Sequence, residues 1–275
     1  MKRITIIFFA IFFLISCQKD NSVNRLEKRV VTYDVQSPVE FEIKSSSKGT
    51  GSEVNALWYG VYHKKSDGNY VYMSDMSAYV SIDDPTKNIS VPVTLFKDQQ
   101  YKIIFVAQHI ESVASGTGSN TNCYTYIVNE NGLMSLNPSA VITDGEQLDA
   151  FIYWEETDII KNDYKKEIVL TRPLAQVNIS TDATVTPVSI DLAISGTAAA
   201  YDIFAKTYST ATANPVIFNN FVCDGNDLAT VYILPVGSSI TIDMTMTYAD
   251  DSTKSLNASN VAVAPNFKTN VKGNI

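Results

Sequence analysis

The side chains that most often run enzyme chemistry are scarce in this sequence and poorly spaced for it. Two histidines occur in 275 residues, His63 and His109. Both fall at the ends of apolar runs and read as strand ends rather than members of a triad. No Gly-x-Ser-x-Gly, His-Glu-x-x-His, phosphate-loop or dinucleotide glycine pattern is present. Glu155, Glu156 and Asp158 bring acids together, as glycoside hydrolysis requires. Neighbours on a strand point to opposite faces, however, so Glu155 and Glu156 would not converge, and a solvated acidic edge is expected. Asp224-Gly225-Asn226-Asp227 has the residue types of a calcium loop but not its alternation or its distant glutamate. It reads as a turn. Trp58 beside Tyr59, and Trp154 beside Tyr153, could stack on a sugar ring and are the candidate glycan contacts, although core packing claims such aromatics more often. No enzyme, no cofactor and no metal site is expected.

One residue does carry a definite chemistry. Lys2 and Arg3 precede an apolar run from Ile4 to Ile15, interrupted only by Thr5. A dozen residues is too short for a membrane span, which needs about 20, but it suits the core of a signal peptide. The run closes on Leu14-Ile15-Ser16-Cys17, which resembles the bacterial lipobox. There the peptide is cut before the cysteine, whose thiol and new amino group are acylated with palmitate-type chains. Several chains give the multiple anchors that stable attachment needs. Residues 1–16 are thus expected to be signal peptide and 17–32 a lipidated tether. The polar Gln18-Lys19-Asp20 that follows resembles, in part, the surface-export signal of Bacteroidales lipoproteins. The expected location is the outer membrane, lipid-anchored, on the cell-surface side.

Composition limits the partners. Removal of residues 1–16 takes Lys2 and Arg3, leaving 19 basic against 29 acidic side chains, a net charge of -10. Nucleic-acid binding, which wants clustered Lys and Arg, is excluded. A hydrophobic content of 45% supports a buried core. Beyond Cys17, Cys123 and Cys223 remain, and they read either as an export-compatible disulfide or as two buried thiols.

The elements that must carry these residues are strands. Val39–Ile43 alternates apolar and polar residues, and Leu57–Tyr62 and Tyr70–Met73 flank an Asp67-Gly68 hairpin signal. Val91–Leu95, Tyr101–Ala107 and Tyr124–Val128 follow. After Glu167–Leu170 and Ala175–Ile179 come Val188–Ile194, Val216–Phe218, Thr230–Leu234 and Ser239–Tyr248, the last alternating over ten residues. Only Glu146 to Lys161 admits a helical reading. The 15 Tyr and 12 Phe outnumber the 12 Gly and 9 Pro combined, a composition of aromatic-rich strands broken by short turns that indicates β-sandwiches. The polar stretch 161–166 divides the chain into an N-terminal body, 33–166, and a C-terminal one, 167–275. No fixed-period repeat is visible.

Three passages resemble the fimbrillin-like lipoproteins of Bacteroidales: Asp149-Ala150-Phe151, then Leu170-Thr171-Arg172-Pro173-Leu174-Ala175-Gln176-Val177-Asn178-Ile179, and finally Val261–Val263 with Pro265–Ile275. The resemblance implies two tandem transthyretin-like, Greek-key β-sandwich domains and an all-β fold. It also implies fimbrial subunits as partners, joined by strand donation, and a surface ligand of host or bacterial origin. Members that polymerise are cut after an arginine in the first strand region. Arg25 and Arg29 are the candidates, since no arginine lies between Arg29 and Arg172. Both lie near Cys17, so cutting there is expected to remove mainly tether. With little chain after the last strand, the resemblance leans towards an anchoring or accessory subunit. Arg172 is expected to pair with an acid across the domain junction. Asp251-Ser252-Thr253 resembles the short glycosylation acceptor of exported proteins in these bacteria.

Overall fold

The computed structural model describes residues 27–36, 51–111, 124–140 and 142–273. Over these the protein is all-β. The first ten strands are β1 (Lys28–Val35), β2 (Ala56–Lys64), β3 (Tyr70–Tyr72), β4 (Ala78–Ser81), β5 (Ile89–Phe96), β6 (Tyr101–Gln108), β7 (Tyr126–Val128), β8 (Leu133–Leu136), β9 (Ala150–Glu156) and β10 (Tyr164–Ile168). The next nine are β11 (Ala175–Thr181), β12 (Ser189–Ser195), β13 (Tyr201–Asp202), β14 (Thr207–Tyr208), β15 (Val216–Val222), β16 (Asp227–Ile233), β17 (Ser239–Thr247), β18 (Thr253–Ala262) and β19 (Lys268–Gly273).

The N-terminal half is a sandwich. Its first sheet has the order β10-β1-β5, and its second runs β3-β2-β6-β9, with β4 also on β2. The C-terminal half repeats the plan with β16-β11-β19 and β15-β12-β17-β18. In each half the leading strand lies between an antiparallel neighbour and a parallel one: β1 between β5 and β10, β11 between β16 and β19. A small fifth sheet, β14-β13-β8-β7, takes two strands from each half and joins them.

Alternation explains the layers. On β17, Ile240, Ile242, Met244 and Met246 are buried while the residues between them face outwards, the pattern of a sheet with one wet face. β6 reads differently. Ile103, Ile104, Phe105, Val106 and Ala107 are all buried, because this sheet is covered on both faces. Ile103 and Phe105 join Val31, Tyr33, Val91, Val93 and Ile168 inside the N-terminal sandwich. Ile104 and Val106 point the other way, into a core that continues through Tyr126, Met134 and Ile203 to Val177, Val231 and Met246 of the C-terminal half.

Several expectations are corrected by this arrangement. Residues 28–32, read as tether, are strand, because Val31 begins the buried alternation that Tyr33 and Val35 continue. Glu167 and Ile168, read as opening the second body, complete β10 and pair with Asp34 and Val35. The stretch with a helical reading holds only a short 3-10 turn, Gly145–Leu148, before β9; its aromatic and β-branched residues suit a strand. The Val39–Ile43 strand, the signal peptide, Cys17 and Arg25 lie outside the described residues. So does Cys123; Cys223 carries a free, half-buried thiol.

Candidate functional site

The first strand fills a groove between β5 and β10, and that groove is the candidate site. β1 is held chiefly by its two neighbours and by the side chains it buries. Val31, Tyr33 and Val35 are 0–1% exposed, each worth roughly 1.5–3 kcal/mol of burial. Val31 lies opposite Val93 and Tyr33 opposite Val91 on β5, while Val31 to Val35 pair with Tyr164 to Ile168 on β10. Outward-facing Asp34 pairs with Lys165 and accepts a hydrogen bond from Ser90 Oγ at 3.0 Å. Without β1, two strand edges would face each other across an apolar floor.

One polar contact pins the strand from inside. Tyr33 Oη donates to Glu155 Oε1 at 2.7 Å, and the other oxygen of Glu155 accepts from Tyr153 Oη at 3.0 Å and pairs with Lys166. Burial, and then the nearby Glu155 charge, push the Tyr33 hydroxyl far above the usual phenol range. Glu155 is therefore a buried strand-fixing acid, while Glu156 faces out beside Lys64 at 3.3 Å. The two acids do point to opposite faces.

Arg29 sits at the second position of β1, opposite Leu95. Its Nε donates to the Lys161 carbonyl at 3.2 Å and its guanidinium pairs with Glu27, which also holds Lys97 at 2.8 Å. The next amide, Val30 N–H, donates to Asp163 Oδ1 at 2.9 Å. Cutting after Arg29 would take only Lys28 and Arg29 from the strand, and Val30–Val35 would stay in the groove.

The second constellation is a clasp where the halves meet. Arg172, on the segment between β10 and β11, donates through Nε and Nη2 to the two oxygens of Asp149, both at 2.7 Å. Both side chains are buried. The guanidinium lies over Phe151 at 4.6 Å and Tyr232 at 5.6 Å, and Tyr232 Oη donates to Glu146 at 2.8 Å. Burial pushes the Asp149 carboxyl up to about 7 against the pull of Arg172, and it raises Glu146 as well. The acidic partner expected for Arg172 is therefore Asp149, from the passage with the shortest family signature. Glu146 and Tyr232 carried no sequence signal. A capping box at Asp144, in which Gln147 bonds back to the Asp144 amide, sets the turn that presents them. Gly145 lies so close to β16 that a Cβ there would stand 1.4 Å from the Thr230 carbonyl oxygen.

Trp58 and Trp154 lie on β2 and β9, on the outer face of the same sheet, and both are half-buried. Trp58 folds back over Gly60, where any Cβ would meet its ring at 2.2 Å. Trp154 is met edge-on by Phe204 at 5.5 Å, and Lys102 Nζ lies 4.7 Å from Phe204 and 5.5 Å from Trp154. Phe204 comes from the turn between β13 and β14, so Trp154 lines the contact between the halves. His63 bonds to Gln99 at 2.8 Å and His109 to the Glu53 carbonyl at 2.8 Å, far from any nucleophile pattern. Asp224 and Asp227 bridge each other in a turn. Ser252 is exposed in the β17–β18 turn, its hydroxyl hydrogen-bonded to Asp250. Among the described residues no group of His, Cys, Asp or Glu could hold a metal ion.

Two sandwiches, each with a leading strand between an antiparallel and a parallel neighbour, define an all-β class rather than an activity. The chain belongs to a family of unknown function, DUF6562, which matches residues 31–275, from the first buried residue of β1 onwards. No curated protein matches the sequence. Among solved structures it is similar to a candidate adhesin of Bacteroides ovatus, at 10% identity and a TM-score of 0.50, covering 96% of this chain and 98% of that one. It is also similar to a fimbrial assembly protein of Parabacteroides distasonis (10% identity, TM-score 0.44, 90% and 92% covered). A third is the fimbrial anchor protein Mfa2 of Porphyromonas gingivalis (16% identity, TM-score 0.44, 84% and 82% covered).

Proposed function

We propose that the protein is a cell-surface lipoprotein that serves as an anchoring or accessory subunit of a fimbria. Its two halves act as two sandwich domains, dividing between Ile168 and Ala175, and a neighbouring subunit joins it by β-strand complementation. Lipid on Cys17 holds the leading end at the outer membrane. The observation that carries the reading is the position of Arg29. It lies at the very start of β1, ahead of all three buried residues, so proteolysis there leaves the groove filled by the chain's own strand. A subunit of this kind accepts no donor in that groove, so a neighbour's strand adds at an exposed sheet edge instead, and the subunit suits an end of the assembly. The shared fold of the Bacteroides ovatus protein supports a surface role of the same kind.

The test is mass spectrometry of the protein from its native membrane, read together with the proteins that co-purify in detergent. An intact acylated Cys17 in a complex with fimbrial subunits is expected. A mature terminus beyond Val35, with β1 missing and detergent-resistant self-polymers, would make it a shaft subunit instead. Recovery as an isolated monomer with no filament partner would remove the fimbrial reading.

A further inference from the structure

Where the small joining sheet meets the C-terminal sandwich there is a cavity of about 280 Å³, walled by Tyr126 and Leu136 from one half and Thr197, Phe218, Tyr232 and Leu234 from the other. We propose that it binds a small, neutral, mainly apolar molecule bearing one hydroxyl or carbonyl group.

The lining sets each part of that description. No Asp, Glu, Lys or Arg is among the described residues that line it, so a charged ligand would surrender its hydration without a partner. Most polar groups on the wall are already committed. Tyr126 Oη donates to the Leu148 carbonyl at 2.8 Å, Tyr232 Oη to Glu146 at 2.8 Å, and Thr212 Oγ1 to the Asn214 carbonyl at 2.6 Å. The Thr197 hydroxyl is the exception. Thr197 is 1% exposed and its Oγ1 has no hydrogen-bond partner among the described residues, an arrangement that costs stability unless something supplies one. Its backbone is fixed, pairing with Pro235 and accepting the Thr212 amide at 2.9 Å, so the side chain is held at the wall. Valine would fill the same volume without an orphan. With one water taking roughly 30 Å³ of liquid volume, the space is that of a handful of waters and suits a single ring or a short branched chain. Pro138 and Ala199 at the rim are exposed and leave a way in. Pockets at the junction of two packed bodies are a common place for small ligands.

Two probes with the same number of non-hydrogen atoms separate the parts of the proposal: benzyl alcohol, with the hydroxyl, and ethylbenzene, without it. Each is titrated into the mature chain while the amide NMR signals of Ala198 and Ala199 are followed. Both probes are expected to shift these signals. In the isosteric variant Thr197→Val, benzyl alcohol should weaken about five- to tenfold relative to ethylbenzene, the worth of one net hydrogen bond. Ala198→Phe should abolish both titrations by filling the space. If that variant fails to fold, Ala199→Leu at the rim should weaken both alike. The proposal falls if neither probe moves the two amides. It also falls if Thr197→Val leaves the ratio of the two affinities unchanged.

Discussion

The two halves follow one strand path and meet different surroundings. Strand for strand, β1, β2, β5, β6, β9 and β10 correspond to β11, β12, β16, β17, β18 and β19 by position in their sheets. The exposed edge strands are guarded differently. On β5 a proline, Pro92, removes an amide donor; on β16 the Gly145 turn lies against the backbone. The second sheets diverge most. In the first half that sheet is apolar on both faces and takes Phe204 and the small sheet on its outer side. In the second half the outer side is paved with Asp191, Thr241, Asp243, Thr245 and Asn257, and it faces solvent. A shared topology thus leaves the N-terminal half dependent on its neighbour and the C-terminal half with a free face.

The largest expected effect lies at the junction. Arg172→Ala would leave Asp149 buried without its partner and should cost about 3–5 kcal/mol. Replacing both at once, Asp149→Leu with Arg172→Met, should recover most of that loss, since a buried pair can often be exchanged for apolar packing. Chemical denaturation of the wild type and these two variants gives the comparison. A loss under about 1 kcal/mol in the single variant would mean that the clasp does not join the halves.

Next come the two outer faces themselves. Ile104→Thr, on the covered face, removes buried methyl groups and buries a hydroxyl, at about 3 kcal/mol. Thr245→Val, at a similar place on the free face, should stay within about 0.5 kcal/mol. Equal losses would erase the distinction. Phe204→Ala should cost less, about 2 kcal/mol because the ring is only half-buried, and it should red-shift the tryptophan emission by wetting Trp154. Unchanged emission would show that Phe204 does not cover that face.

Much of this contrast was legible in the residues. Ser239–Tyr248 alternates because β17 has one wet face, and Tyr101–Ala107 is continuously apolar because β6 has none. The repeated path was not legible, since the loops between equivalent strands differ in length and topology depends on no fixed spacing. The tether ends earlier than the residues suggest, because charged Lys28 and Arg29 open β1 opposite Phe96 and Leu95. At the junction, Asp149 and Arg172 stood out as motif residues. Their contact, 23 positions apart in sequence, needed the turn at Gly145 to make it. Phe204 and Thr197 had no pattern to mark them, because their roles exist only where two halves touch.

The smallest effects compare two acids at matching places, the turns that lead into β9 and β18. Burial holds Asp149 up at about 7, whereas hydrogen bonds from the Ser252 side chain and amide hold exposed Asp250 below its ordinary value. The signs are opposite. A folded value raised above the unfolded one means that the native state keeps the extra proton. The Asp149 contribution is then fully present below about pH 4 and is lost as pH rises through about 7. The lowered Asp250 contributes above its unfolded value and loses that contribution as pH falls through its folded one. Melting temperatures between pH 3 and pH 8 separate the two. The gap between wild type and Asp149→Asn should narrow towards pH 8, and the smaller gap for Asp250→Asn should narrow towards pH 3. If both gaps moved in the same direction, the buried clasp would be titrating like an ordinary surface acid, and the N-terminal half would not own the enclosed junction that sets it apart.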